Sequence, residues 1–595
     1  MFRARVSPLW LLVCCAAAMA APAAAQAQVI DSLVTAAAPT DGYLQNASDE
    51  PVMAVDASRP NVLAIGAHEL MDQQRCSRAA VTSLGSCTFP INGLTTNAGV
   101  GITGIYFSFD SGRSWTQPTY QGLTAAACDP TVEPCVPKVG PIHTVPNYYE
   151  HGLRTLGDPA LAFGPIPDQN GNFSWDNGSR LYLSSIANNL TNTAIREDGQ
   201  NSATTISASF IDKVTPDRVE DQANWSRPYF PDPRVATAAF MHKPGIWADN
   251  AASSPHFGNV YVCYSDQHSA SRGAATTLFA NVGTSRDGGV NWKARAVAPP
   301  WFNAQQGGRF SCAVRTDSHG AVYVFFTRYA FGTPAIGSHT MVKSLDGGQT
   351  WTPPREIFEM HDPCFFQDPL PPFSCVMDGF RGTRIDVTPS PSVDIANGAP
   401  TGEDATNELV DVWGDARFGL NNEVTMLSYS TDLGETWSDP EVVSRSGDRP
   451  VFSATAIAPD GTRMYLVYMG FTAPFQTTTA NPRPVHGVLA SAAVGADGAP
   501  SGWTTLYNGP TGDARGSGFL GVNREFVGDY VYAAATRTYG AATWTDLRRI
   551  ANCPAVDVHR QKSLDAGFNV SPAPWPIADC PANFGNTDIF SATTE

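Results

Sequence analysis

Ser344-Leu345-Asp346-Gly347-Gly348-Gln349-Thr350-Trp351 follows an alternating apolar run and leads into Thr352-Pro353-Pro354. The same pattern, S-x-D-x-G-x-x-W, returns without a gap at Ser108–Trp115, Ser285–Trp292 and Ser430–Trp437. An aspartate side chain accepts backbone N–H groups inside its own turn, and glycine enters the left-handed region without steric cost. Serine adds a local hydroxyl bond, and the tryptophan reaches back over apolar neighbours and buries a large surface. The octet therefore reads as a stapled hairpin. Asp110, Trp115, Asp287, Trp292, Asp346, Trp351, Asp432 and Trp437 are assigned to structure rather than chemistry. Four complete copies imply a repeating β unit.

Working outward, each octet closes a set of short extended runs. The first unit carries 51–56, 61–66 and 104–107. The second carries 157–163, 180–184 and 201–210, with no intact octet behind it. The third carries 243–249 and 258–264, the fourth 310–314 and 320–326. The fifth has a long insertion from 358 to 389 and then 408–413. The sixth carries 452–457, 462–468 and 485–492, the seventh 526–533 and 541–545. A last run, 587–593, reads as a closing strand. Continuous helix-period patterns are nearly absent, and no shift in composition divides the chain.

The octet resembles the Asp-box, or BNR repeat, of sialidase-like β-propellers. There it joins the third and fourth strands of a blade, on the rim away from the active face. The same motif occurs in non-sialidase glycoside hydrolases, sorting receptors and assembly factors, so it speaks for fold more than for reaction. The resemblance implies an all-β β-propeller with Asp-box hairpins. The unit count gives seven blades, or six if the two termini share one split blade. Ring closure removes the free sheet edges that an open array exposes.

The N-terminus has Arg3 and Arg5, an apolar run from Leu9 to Ala20 and small residues to Ala27. That is the layout of a secretory signal peptide, with cleavage after Ala25 or Ala27. Residues 1–27 are read as the signal and 28–595 as one propeller domain with long loop insertions, secreted or periplasmic. No later stretch has the length and apolarity of a membrane span. The net charge of −17 becomes about −19 once Arg3 and Arg5 are removed. Such a surface disfavours nucleic acid and anionic membranes. The aspartate content permits a structural calcium ion, although no EF-hand spacing occurs. No other cofactor is expected.

Of twelve cysteines, Cys14 and Cys15 fall in the leader and ten remain. An even number in an exported chain points to disulfides. Local pairing gives Cys76–Cys87, Cys128–Cys135, Cys364–Cys375 and Cys553–Cys580, which leaves Cys263 and Cys312 to join neighbouring blades. Each bond is expected to contribute ~2–4 kcal/mol.

Candidate chemistry begins with a second repeat, W-x-D-x-R, at Trp413-Gly414-Asp415-Ala416-Arg417 and Trp544-Thr545-Asp546-Leu547-Arg548. Both pentads end the second strand of a unit, and alternation puts Trp, Asp and Arg on one side. One reading is a Trp stacked beside an Asp–Arg ion pair. The other is a rim of arginines that bind a carboxylate or sulfate bidentately. Gly157-Asp158 and Gly528-Asp529-Tyr530 open first strands, which line the axis of a propeller. Asp158 and Asp529 are candidate acids, bases or cation ligands there, and Tyr530 a candidate polarised phenol. Asp415 with Glu408, or Asp529 with Glu525, would supply the paired carboxyls of glycosidic cleavage. His143, His151, His242 and His256 are placed in loops and form no spaced ligand set. Neither a phosphate loop nor a nucleophile elbow is present.

Resemblance to sialidases further implies three arginines around the substrate carboxylate, a Tyr–Glu nucleophilic pair and an acid/base aspartate. Arg309, Arg417 and Arg548 are the arginines available, with Glu525 near Tyr530. The F/Y-R-x-P segment that carries the first arginine in that family is missing from the start of the domain. The expectation is an exported propeller acting on a glycan, sialidase-like if catalytic. A carbohydrate- or protein-binding propeller and an envelope assembly factor are the alternatives. Candidate catalytic residues are Asp158, Asp529, Tyr530, Glu525 and Asp415; candidate binding residues are Arg309, Arg417, Arg548, Trp413 and Trp544.

Overall fold

A computed structural model describes residues 1, 29–35, 39–77, 99–132, 135–189, 204–232, 239–268, 277–301, 308–329, 336–361, 366–367, 375–376, 392–518, 521–522, 525–566 and 572–594. The expected leader, Cys87 and Cys364 fall outside them. Seven antiparallel sheets form seven blades of a β-propeller. Their innermost strands are Ser48–Val55, Ala160–Pro167, Ala239–Ala248, Gly308–Thr316, Ser392–Ile395, Arg449–Ile457 and Tyr532–Ala535. In blades 3 to 6 the four main strands follow one another outward in chain order.

Blade 7 is the split one. Tyr532–Ala535, Gly540–Asp546 and Asp588–Thr594 come from the C-terminal end, and Val29–Leu33 pairs with Asp588–Thr594 as the outermost strand. The run expected to close the ring does so, with the N-terminal strand zipped onto it. The split blade thus exists, and the total is seven.

The reason these strands read as continuous apolar runs is that both of their faces are buried. A separate hydrophobic core fills each interface between neighbouring blades. Blades 3 and 4, for example, meet through Tyr261, Val282, Val314 and Phe326, and blades 7 and 1 through Ala541, Ile589, Met53 and Ile65. Each Asp-box tryptophan belongs to such an interface. Trp115 Nε1 donates to Ser591 Oγ of blade 7 at 2.9 Å, and Trp437 meets Phe325 of blade 4 edge-on at 5.9 Å. All four indoles are half-buried rather than enclosed.

In blades 3, 4 and 5 the octet turn joins the third and fourth strands, as expected, while in blade 1 it follows the last strand of a three-stranded sheet and leads only to a bridge between Phe107 and Thr116. In all four turns, the Ser Oγ accepts the Gly N–H at 2.8–2.9 Å and donates to the Asp Oδ1. Asp Oδ1 also accepts the N–H of the seventh residue, and Oδ2 accepts that residue's side chain at 2.6 Å. This explains why position seven is Ser114, Asn291, Thr350 or Thr436: it must carry a short donor.

One element departs from the sequence reading. Helix Pro554–Asp565 lies within the connection between the second and third strands of blade 7. Its buried residues are mainly polar, and Arg560 donates to three carbonyls, of Val522, Arg515 and Ser517. A helix held by such bonds has no apolar stripe to betray it. Disulfides Cys128–Cys135, Cys263–Cys312 and Cys553–Cys580 form as paired above. Cys263–Cys312 ties the second strand of blade 3 to the inner strand of blade 4. Cys76 is also disulfide-bonded.

Candidate functional site at the head of the axis

Inner strands run from one face of the disc to the other, and the Asp-box turns lie on the face where they finish. The opposite face holds their beginnings. At that level several inner strands share a distortion. Glu50, Asp158, Lys243, Ser311 and Phe452 all have φ between 48° and 56°. In blades 1, 3, 4 and 6 the residue sits in a β-bulge, where register with the second strand slips. Left-handed backbone at a non-glycine residue costs of order 1 kcal/mol, and bulges re-aim side chains beside functional sites.

The bulges aim an ionisable cluster at the axis. Blade 1 supplies Asp49, Glu50 and His68, blade 2 Asp158, blade 3 His242 and Lys243, and the approach to blade 7 Asp529 and Tyr530. The Asp158 N is 2.8 Å from His68 Nε2, and His68 Nδ1 is 3.0 Å from Asp49 Oδ1; burial lowers the imidazole, but Glu50 and then Asp49 outweigh it and raise it well above its ordinary value. Glu50 Oε2 lies 3.0 Å from the same Nε2. His242 Nε2 is 2.9 Å from Asp158 Oδ2, and Lys243 Nζ is 3.1 Å from Asp529 Oδ2 and 4.9 Å from the Tyr530 ring centre. Gly157 makes room: a Cβ there would lie 2.0 Å from His68 Nε2.

Burial acts on these carboxyls unequally. It pushes Glu50 up to about 8, against the pull of His68 and with help from Asp529 and Asp158. Asp158 is equally buried, but bonded His242, Lys243 and His68 together pull it well below the usual carboxylate range. Near neutrality Glu50 keeps its proton and Asp158 is ionised. Burial, then Glu50, Asp158 and Asp529, hold the Tyr530 phenol well above its ordinary value, so it stands as a neutral hydroxyl.

Asp49, Glu50 and His68 each offer one donor atom, all within 4.8 Å of one another, and can therefore hold a metal ion. An imidazole with two carboxylates suits a first-row divalent cation better than calcium, which takes six to eight oxygens.

Of the residues singled out from sequence, the structure brings Asp158, Asp529 and Tyr530 together and leaves the others apart. Glu525 is buried 3.6 Å from Arg560. Asp415 does not meet Glu408, because the two sit at opposite ends of one strand. Both pentads fold alike. Trp413 and Trp544 donate Nε1 to Asp415 and Asp546 at 2.9 Å, and Arg417 and Arg548 grip the same carboxylates through Nε and Nη2 at 2.8 Å. Trp413 and Trp544 are buried, so neither is an open platform. Arg548 reaches further, to Asp31 on the N-terminal strand. Arg309 lies in blade 4 opposite Arg328, and burial, then Arg328, lowers it to about 10. The three arginines thus stay in blades 4, 5 and 7.

Sequence reasoning missed Glu50, His68 and Lys243. It also placed His242 in a loop, where the structure has it on an inner strand bonded to Asp158. The signals that pointed here were Gly157-Asp158, whose glycine leaves room for His68, and Gly528-Asp529-Tyr530.

No protein-family model and no curated protein sequence matches the chain. Solved structures resemble it at low identity. A Dyadobacter fermentans protein of unknown function aligns over 75% of this chain and 99% of its own, with 12% identity and a TM-score of 0.36. A Hadza microbial sialidase aligns over 72% and 64%, with 12% identity and a TM-score of 0.38. Trypanosoma rangeli sialidase, in complex with the inhibitor DANA, aligns over 72% and 53%, with 12% identity and a TM-score of 0.35. The chain spans less than two thirds of either sialidase.

Proposed function

We propose that the protein is an exported enzyme that cleaves a glycosidic bond at the head of the propeller axis. The observation that carries this reading is the meeting there of two adjacent carboxyls, Glu50 and Asp158, tuned to opposite protonation states. Acetal cleavage needs that division: one group delivers a proton to the leaving oxygen, while an ionised partner activates water or stabilises the developing oxocarbenium ion. Glu50 is the acid and Asp158 the carboxylate. His242 holds Asp158 ionised and oriented, and Lys243 neutralises Asp529. Export and the finer expectation, a sialidase-like exo-glycosidase, rest on the sequence alone.

A second reading, in which the axial cluster is structural and the propeller binds glycan on another surface without turnover, is favoured by one observation. The cavity beside the cluster measures 70 Å3, room for about two waters at ~30 Å3 each. Initial rates on nitrophenyl glycosides of neutral hexoses and pentoses, and on an umbelliferyl sialoside, separate the two. Turnover that disappears in Asp158→Asn, with cooperative unfolding retained, is the expected result. Glycan-array binding without turnover of any of these substrates would select the second reading.

A further inference from the structure

The axis has another mouth, on the Asp-box face, that the cleavage reading leaves unused. There it widens to a cavity of 340 Å3, within the roughly 300–1,000 Å3 of small-ligand sites. Val52, Leu161, Val314 and Val393, from four blades, line the narrower stretch between this mouth and the acidic cluster. Most of the wall is apolar, and a few polar groups converge on it. Arg315 donates through Nε to Asp394 Oδ1 at 3.1 Å and through Nη2 to the Tyr532 hydroxyl at 3.3 Å. Its guanidinium lies 4.5 Å from the centre of the half-buried Trp247 ring. Asn397 Nδ2 donates to Asn250 Oδ1 at 2.8 Å.

Charge decides what such a cavity takes. Arg315 is matched by Asp394, and Arg537 at the rim by Asp404 at 2.6 Å. An anion would meet the Asp394 carboxylate, and a cation would meet Arg315. The space therefore offers donors and acceptors on an apolar wall with no net charge. That combination suits a neutral polyhydroxylated ring, whose hydroxyls bond the amides and the Arg–Asp pair while its C–H face packs on the aliphatic wall. We propose that this mouth is a second ligand site, which takes a neutral monosaccharide ring and is separate from the acidic cluster.

Methyl glycosides of glucose, galactose, mannose, xylose and arabinose serve as probes, with saturation-transfer NMR to detect binding and calorimetry to measure it. At least one should bind the full chain and bind Glu50→Gln equally well. Ala57→Trp, in the turn at the rim of the cavity, and Asn250→Ala should each weaken it about tenfold or more, a 1.4 kcal/mol difference, with unchanged thermal midpoints. N-acetylneuraminic acid should show no binding that Ala57→Trp weakens. The proposal fails if no probe binds, if binding survives in Ala57→Trp, if Ala57→Trp weakens binding of the anionic sugar instead, or if Glu50→Gln abolishes it. Because the readout is binding to a distant mouth, loss of the glycosidase reading would leave this result standing.

Discussion

Lys243 is 2% exposed, and a buried ammonium persists only when a partner offsets its lost hydration. That partner is Asp529, itself fully buried. Lys243→Met would strand the Asp529 charge and should cost about 3–5 kcal/mol in urea unfolding, while Lys243→Met with Asp529→Leu should recover most of it. Equal stability of the single variant and the native chain would show that the pair is not buried as described. Gly157 is a second residue with one tolerated identity, because φ is 83° and His68 occupies the Cβ position. Glu50 has a folded value raised to about 8, mainly by burial. Its contribution to stability is therefore fully present below its unfolded value near 4.3 and is lost as pH rises through about 8. Glu50→Gln should flatten that fall in a melting-temperature series taken from pH 5 to pH 9.

At the scale of the element, the Asp-box was legible because the bonds that shape its turn, made by its Ser and Asp, are local. Side chains within eight residues satisfy one another, so the sequence alone specifies the turn. Its aspartates behave accordingly: hydrogen bonds from Thr436 bring Asp432 down to about 2, and Asp110, Asp287 and Asp346 are lowered too. A lowered folded value means stability present above the unfolded value near 3.9 and lost as pH falls through about 2. The thermal midpoint should drop across that window, and Asp432→Asn should remove part of the drop; an identical acid limb in the variant would contradict it. Blades without the octet were harder to read for physical reasons. In blade 7 the third and fourth strands come from opposite ends of the chain, so no turn exists to carry a motif. In blade 2 a short helix, Pro216–Val219, follows the third strand in its place. The site was legible only where one chain segment carries it, at Asp158 and at Asp529-Tyr530. Glu50, His68 and Lys243 reach it through long-range convergence and through bulges whose left-handed residues are not glycine, so no local pattern announces them.

The whole molecule depends on closure. The N-terminal strand Val29–Leu33 completes blade 7, and Arg548, already bound to Asp546, grips its Asp31. Removing residues up to 35 should lower the melting temperature and promote self-association in sedimentation, because the outer edge of Asp588–Thr594 is then unpaired. A truncated chain that stays monomeric with an unchanged midpoint would argue against the latch. Closure is also what sets Glu50 of blade 1 against Asp529 and Tyr530 of blade 7, so the axial cluster exists only in the finished ring. On the proposed function, this axial cluster performs acid-assisted cleavage. This is tested most directly by the initial rate on a turned-over aryl glycoside, measured against pH for the native chain and Glu50→Gln. The native rate should fall as pH passes about 8, and the Glu50→Gln enzyme should fold cooperatively yet be inactive at every pH. A Glu50→Gln enzyme that keeps the native pH–rate profile would contradict it.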